Sequence, residues 1–195
     1  MDSSVKFELT DEQKTIGSVV LYRIRAVEDI PYQGVRKGDL GGWVESLYLD
    51  DGTPRMSGEA WMSGNAEMYG NAAMFGNARM FGSAEMSGNA RMFGSARLSG
   101  NARVAGAGDI CLPSHVITVG PIGSENVTAT LYRSRGEDGH ELRVGCWTGT
   151  MQSLMAEVAR RRENWDAPAE MQEAWVAQYK ALEALCDATV AGWGA

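Results

Sequence analysis

The chain has 195 residues, a formal net charge of −7 and a pI near 4.9. This length suits one domain or two small ones. The acidic balance argues against nucleic acid or an anionic membrane as a partner, because both are bound through basic surfaces. Three widely spaced cysteines without a CxxC pair exclude a disulfide framework and indicate a reducing compartment. The first residues lack the apolar stretch of a secretory signal, so we predict a cytoplasmic location.

Residues 1–41 are predicted to form an N-terminal strand and a cap. The segment SVVLYRIRAV is rich in β-branched and aromatic residues, which favours a strand. The glycine-rich lead-in VRKGDLGG has no GK[ST] motif, so it is not a phosphate-binding loop. We expect it to cap the array that begins at residue 42, since repeat arrays need capping ends.

Residues 42–113 carry an internal repeat of six residues, as in GNAEMYGNAAMFGNARMF. An apolar residue returns at every sixth position from Met56 to Ile110, with alanine two residues before it and glycine two residues after it through most of the array. A period of six matches neither an α-helix nor a heptad coiled coil. It does match a short strand, whose Ala and Met share one face, followed by a corner at which glycine supplies positive φ.

Three hexads predict one triangular coil of 18 residues, and strand pairing would stack successive coils about 4.8 Å apart. The register extends backwards, because Gly42 and Val44 stand 18 residues before Ala60 and Met62. On this register the array begins at GGWVES and contains about four coils, and its outward side chains fall on three faces.

The third face would hold Phe75 and Phe93 one above the other, beside Ala73 and Arg91. Exposed aromatic side chains next to an arginine are typical of protein interfaces. We expect this face to bind further copies of the same chain. The alternative is that the chain's own C-terminal segment covers the two phenylalanines.

The first face would carry an aromatic and cationic set that consists of Trp43, Trp61, Arg79, Phe81 and Arg97. Guanidinium groups suit a phosphate or an acidic partner, and the rings suit stacking. We therefore take four of these as candidate ligand- or partner-binding residues, namely Trp61, Arg79, Phe81 and Arg97. The alternative is a ladder of cation–π contacts that only stabilises the array.

Residues 114–195 are predicted to form an α+β unit. The segment HVITVGPIG favours a strand and a turn, and the following segment, from VTATLYR to VGCW, favours a hairpin that turns at Gly136–Gly139. A first helix would begin after a cap at Thr148 or Thr150 and would bury Met151, Leu154, Met155 and Val158. The run Arg160–Arg162 in its last turn is interpreted as a solvated face. A second helix near Pro168 would bury Met171, Trp175, Tyr179, Leu182 and Leu185.

Several segments together resemble a class of phage and prophage proteins built on hexapeptide repeats, over about residues 18–156; these are LYRIRA, KGDLGGWVES, the Gly-Asn-Ala hexads, ITVGPIGS, TLYR and VGCWTGT. The resemblance implies a mainly β protein with a left-handed parallel β-helix. It also implies a viral origin, which would place the protein in the host cell cytoplasm, and a homo-oligomer, commonly a trimer. Most members of the class have no assigned role, so the resemblance assigns no catalytic residue.

The residues offer little for catalysis. The two histidines, His115 and His140, are fewer than the three that bind zinc in carbonic anhydrases of the hexapeptide-repeat type. On one predicted strand, His140 and Cys146 would lie roughly 20 Å apart, beyond hydrogen-bond reach. A pairing of His115 with Cys146 stays open. We predict no catalytic residue, no metal site and no cofactor.

Three functions remain open. The one that we favour is a non-enzymatic scaffold that acts by binding and antagonises a host defence system, either by sequestering a nucleotide signal or by occluding a defence protein. The second is a structural or assembly part of the virion, because rigid trimeric β-solenoids suit spikes and fibres. The third is a hexapeptide-repeat acyltransferase in which His115 is the catalytic histidine.

Overall fold

A computed structural model describes residues 5–194 of the chain. The chain divides into two compact units, Met1–His115 and Val116–Ala195. The structure is mainly β, with parallel strand pairing in the repeat and two helices near the C-terminus, which confirms the coarse fold prediction. Within residues 5–194, no helix combines the length and the apolar character that a membrane span requires.

The first unit begins with an antiparallel hairpin of β1 (Phe7–Ile16) and β2 (Val19–Ala26). Strand β2 confirms the strand predicted from SVVLYRIRAV, whereas β1 was not predicted. The turn between the two strands uses Gly17, which has a φ of 58°. Strand β3 (Leu40–Val44) pairs antiparallel with β2 and leads into the repeat.

Short strands follow at regular intervals along the repeat: β4 (Trp61–Met62), β5 (Glu67–Met68), β6 (Ala73–Met74), β7 (Arg79–Met80), β8 (Glu85–Met86), β9 (Arg91–Met92), β10 (Arg97–Leu98), β11 (Arg103–Val104) and β12 (Asp109–Ile110). Each pairs in parallel with the strand three places away along the chain, which confirms the predicted stacking of every third hexad. Successive strands thus fall into three ladders, β4-β7-β10, β5-β8-β11 and β6-β9-β12.

The period of six follows from what each hexad position must do. The alanines and the methionines of the repeat are buried, as the alternation of a strand predicts. The corner glycines have positive φ, between 57° and 74° from Gly58 to Gly106. Close packing is a second reason for glycine at most corners. A Cβ on Gly88, for example, would lie 2.9 Å from the backbone nitrogen of Gly106 in the next rung.

The predicted register at the start of the array is wrong. Val44 pairs with Met68 instead of Met62, and Trp43 pairs with Glu67 rather than sharing a face with Trp61. The cause is an excursion, residues 46–55, closed by a bridge between Tyr48 and Pro54. It inserts one extra hexad length before the regular stacking resumes with the pairing of Met56 and Met74.

The second unit contains a four-stranded antiparallel sheet of β13 (Val116–Ile122), β14 (Val127–Arg133), β15 (His140–Val144) and β16 (Trp147–Gly149). The predicted strand and hairpin are confirmed, and β16 extends them. Helix α1 (Met151–Arg162) begins after Thr150, whose side chain and backbone form a capping box with Ser153. This confirms the predicted cap.

Helix α2 (Ala169–Ala191) packs by a narrower stripe than predicted. Tyr179 and Leu182 are buried as expected, but Met171 and Leu185 are 49% and 45% exposed, so their predicted burial is wrong. Cys186 is fully buried instead of Leu185, because it continues the helical spacing from Tyr179 and Leu182. Met171 lies in the first turn, before the packed stretch begins.

Candidate functional site

The third face of the array is formed by the β6-β9-β12 ladder. The rings of Phe75 and Phe93 stack with their centroids 5.2 Å apart and their planes 8° from parallel. Both rings are half-buried, and Arg91 beside them is exposed. The structure therefore brings together three of the four predicted interface residues as an aromatic pair next to a guanidinium.

Ala73, the fourth predicted interface residue, is buried and offers a partner little surface. Its neighbourhood is occupied by the side chain of Arg55, which comes from the excursion. One Arg55 nitrogen donates to the carbonyls of Gly70 and Ala72 at 2.8 and 3.2 Å. These contacts were not predicted, because residues 46–55 fall outside the hexad pattern.

Arg55 holds the excursion in place. Its Nε donates to the carbonyl of Ser46 at 3.0 Å, and its Nη2 donates to the Ser46 hydroxyl at 2.8 Å. Burial lowers the pKa of Arg55, whereas the nearby carboxylates of Glu45 and Asp50 raise it. Glu45 also accepts from the backbone of Gly70 at 2.7 Å, so the base of the excursion is tied to the next rung twice.

Trp61 is not part of an exposed binding face, so its assignment as a ligand-binding candidate is wrong. The side chain is only 2% exposed. A short 3-10 turn, Pro31–Gln33, folds over the corner that precedes it, where Gln33 donates to the carbonyls of Glu59 and Asn77 at 2.8 and 3.2 Å. Trp61 therefore acts as a core residue of the first unit.

The other three predicted ligand-binding residues do lie together on the β4-β7-β10 ladder. The guanidinium carbon of Arg79 is 5.5 Å from the ring centre of Phe81, which is 37% exposed. Arg97 is exposed and pairs in register with Arg79. The Nε of Arg79 is buried and has no hydrogen-bond partner within the described part of the chain. This arrangement can bind an anion that also has a planar group.

The second face, on the β5-β8-β11 ladder, differs because its charges are already paired. Lys14 of β1 forms an ion pair with Glu67 at 2.5 Å. Glu85 accepts from the Tyr69 hydroxyl and pairs with Arg103 at 3.2 Å. Burial raises the pKa of Tyr69, and the adjacent Glu85 carboxylate raises it further. These contacts fit a stabilising surface rather than a ligand site.

The second unit has an open cleft of about 520 Å³ that the sequence analysis missed. Its walls include Trp165 and Trp175, which meet edge to face with centroids 5.3 Å apart. Arg161 also lines the cleft, and it pairs with Glu157 at 2.6 Å and with Glu125 at 2.9 Å. Hydrogen bonds from Arg160 and Arg161 lower the pKa of Glu157 to about 2. The arginine run is thus ion-paired. Trp165, in the loop between α1 and α2, and Trp175, in α2, are the sequence signal that could have indicated the cleft.

The remaining candidates for chemistry are divided between the two units. His115 ends the first unit, whereas Cys146 belongs to the second, in the turn after β15. The Nδ1 of His140 lies 2.8 Å from the carbonyl oxygen of Asp138. Among residues 5–194, no cluster of three or more His, Cys, Asp or Glu side chains could hold a metal ion.

Comparison with known proteins gives no independent assignment. No family model matches the chain, and no curated protein matches it either.

Proposed function

We propose that residues 42–113 form a left-handed parallel β-helix of about four triangular coils and that the chain belongs with the hexapeptide-repeat proteins of the phage type. Three parallel ladders that each join every third strand of the repeat, with a glycine of positive φ at each corner, support this proposal. A crystal structure of the full chain would test the hand of the coil, since a right-handed coil would contradict membership of this class.

We further propose that the protein is a non-enzymatic scaffold that self-associates through its third face and binds an anionic partner through its first face. The stacked Phe75 and Phe93 beside Arg91 support self-association, because aromatic residues and arginine are enriched at interface cores. A trimer is the assembly expected of hexapeptide-repeat proteins.

The observation that supports an anionic partner is the pairing of Arg79 with Arg97 in register. Arg79 and Arg97 place two like charges on neighbouring strands, which lie about 4.8 Å apart, and such a pair destabilises a ladder unless an anion lies between the charges. The unpartnered Nε of Arg79 adds a buried donor with no acceptor in the described chain. The ring of Phe81 next to them offers a planar surface for a base.

A nucleotide signal satisfies these requirements better than a defence protein does. It combines phosphate oxygens, which guanidinium groups bind in bidentate fashion, with a planar base that stacks. The biological role that follows is antagonism of a host defence system by sequestering such a signal in the host cell cytoplasm. An acidic segment of a defence protein is the other occupant that these residues could bind.

The test compares the wild-type protein with an Arg79→Ala/Arg97→Ala variant after expression in bacteria that carry a nucleotide-signalling defence. Native mass spectrometry should find a nucleotide retained by the wild-type protein and lost from the variant, and phage plating should rise only with the wild-type protein. Arg103→Ala is the matched control, because Arg103 lies at the equivalent hexad position but is paired with Glu85. Equal retention by all three proteins, or retention by none, would contradict the proposal.

A further inference from the structure

A cysteine and a histidine meet where the repeat ends. The last hexad has Leu112 at the position that corner glycines occupy, and Pro113–His115 form a 3-10 turn in its place. The backbone nitrogen of His115 donates to the carbonyl of Leu112 at 3.1 Å. This turn brings the Nδ1 of His115 within 3.4 Å of the Sγ of Cys111.

The contacts of the imidazole ring define which nitrogen can act as a base. The backbone N–H of Cys111 points at Nδ1 over 3.4 Å, and an amide N–H can only donate. Nδ1 therefore presents its lone pair, and the neutral ring carries its proton on Nε2. The same lone pair faces the thiol. His115 is only 5% exposed, so its ring is held in place, whereas Cys111 is half-buried and can be reached by a small molecule.

We propose that Cys111 is a modification site that undergoes thiol–disulfide exchange with small disulfides such as oxidised glutathione. His115 Nδ1 accepts the thiol proton, and the thiolate attacks one sulfur of the disulfide. A new S–S bond forms to Cys111 as the original S–S bond breaks. The electron pair of that bond leaves on the second sulfur, which takes the proton from the imidazolium and departs as a thiol.

A disulfide fits this pair better than an acyl donor. Exchange requires a thiolate and access to its sulfur, whereas acyl transfer also requires donors for an oxyanion. Cys111 follows Phe75 and Phe93 at the equivalent hexad position of the third face, and Phe93 bonds through its backbone to the strand that precedes Cys111. A mixed disulfide would add bulk at the end of that face, although the reaction itself does not depend on self-association.

The chain contains two internal controls. Cys146 is exposed, with Arg161 donating to its sulfur over 3.6 Å. Cys186 is fully buried, and burial raises the pKa of its thiol to about 11. If exposure alone governed reactivity, the order would be Cys146 first, then Cys111, then Cys186.

The experiment treats the native full-length protein with oxidised glutathione at pH 7 and follows each cysteine by peptide mass spectrometry. We expect Cys111 to react about tenfold faster than Cys146, since the Nδ1 of His115 lies within 3.4 Å of its sulfur and can accept the thiol proton as the exchange proceeds. In His115→Gln the rate at Cys111 should fall below that at Cys146, while Cys186 stays unreactive if the variant is folded. The proposal would be overturned if, in the wild-type protein, Cys111 reacted no faster than Cys146. His115 would then serve only to cap the turn. This comparison needs no variant.

Discussion

At the scale of single residues, Arg55 is a fully buried arginine of the first unit. A buried guanidinium is unfavourable unless all its donors are used, and here they reach Ser46, Gly70 and Ala72. These contacts join the excursion to the next rung of the array. Arg55 therefore determines where the regular stacking starts.

We predict that Arg55→Ala lowers the free energy of unfolding of the first unit by about 3 kcal/mol, because several buried carbonyls lose a charged donor. Chemical denaturation would measure this. Arg97→Ala is the control, because Arg97 is exposed and its loss should change stability by no more than about 0.5 kcal/mol. Equal stability of the two variants would mean that the excursion is not anchored as described.

At the scale of the repeating element, the corner glycine serves two separable purposes. Gly88 and Gly100 have nearly the same positive φ, 65° and 64°. A Cβ on Gly88 would lie 2.9 Å from the backbone of Gly106, whereas a Cβ on Gly100 would meet nothing within 4 Å. The two positions share the backbone requirement and differ in the close approach of the next rung.

We predict that Gly100→Ala costs about 1 to 2 kcal/mol, from backbone strain alone. Gly88→Ala should cost about 3 kcal/mol or more, because overpacking against the neighbouring rung adds to that strain. Thermal or chemical unfolding of the two variants measures the difference. Equal losses of unfolding free energy in the two variants would contradict this, because they would mean that the next rung moves away from the Cβ at little cost.

The elements that could be predicted from sequence are those with local causes. The buried Ala and Met positions follow from strand alternation, and the Thr150 cap follows from a hydrogen bond within one turn. The register of Trp43 could not be predicted, because the excursion adds one whole hexad and leaves both alignments compatible with the pattern. The burial of Trp61 was not predicted either, and the corner before it is bound by Gln33, from a turn much earlier in the chain at Pro31–Gln33.

The same distinction applies to the candidate site. Arg79, Phe81 and Arg97 were found because three hexads make one coil, which places these residues on one ladder. The pair of Cys111 and His115 was missed, because it forms where the periodic pattern stops and a 3-10 turn replaces the glycine corner. Beyond the last hexad no period links the side chains, so only their positions in the fold show which of them meet.

At the scale of the whole molecule, the proposed scaffold requires that chains associate through the third face. Phe75 and Phe93 stack on each other, and both remain partly exposed to solvent in a single chain. When a second surface covers such a pair, the apolar area still in contact with water is buried, and this burial stabilises the association. The interface should therefore depend on these two rings and much less on the aromatic residue of the first face.

The most direct test is the mass of the native particle by light scattering, for the wild-type protein, for Phe75→Ser/Phe93→Ser and for Phe81→Ser as the matched control. We predict that the wild-type protein and Phe81→Ser have three times the chain mass of 21.1 kDa and that the double variant has the mass of one chain. Circular dichroism would confirm that the double variant remains folded. A wild-type mass of 21.1 kDa at all concentrations, or a trimer that persists without both phenylalanines, would contradict the third face as the self-association surface.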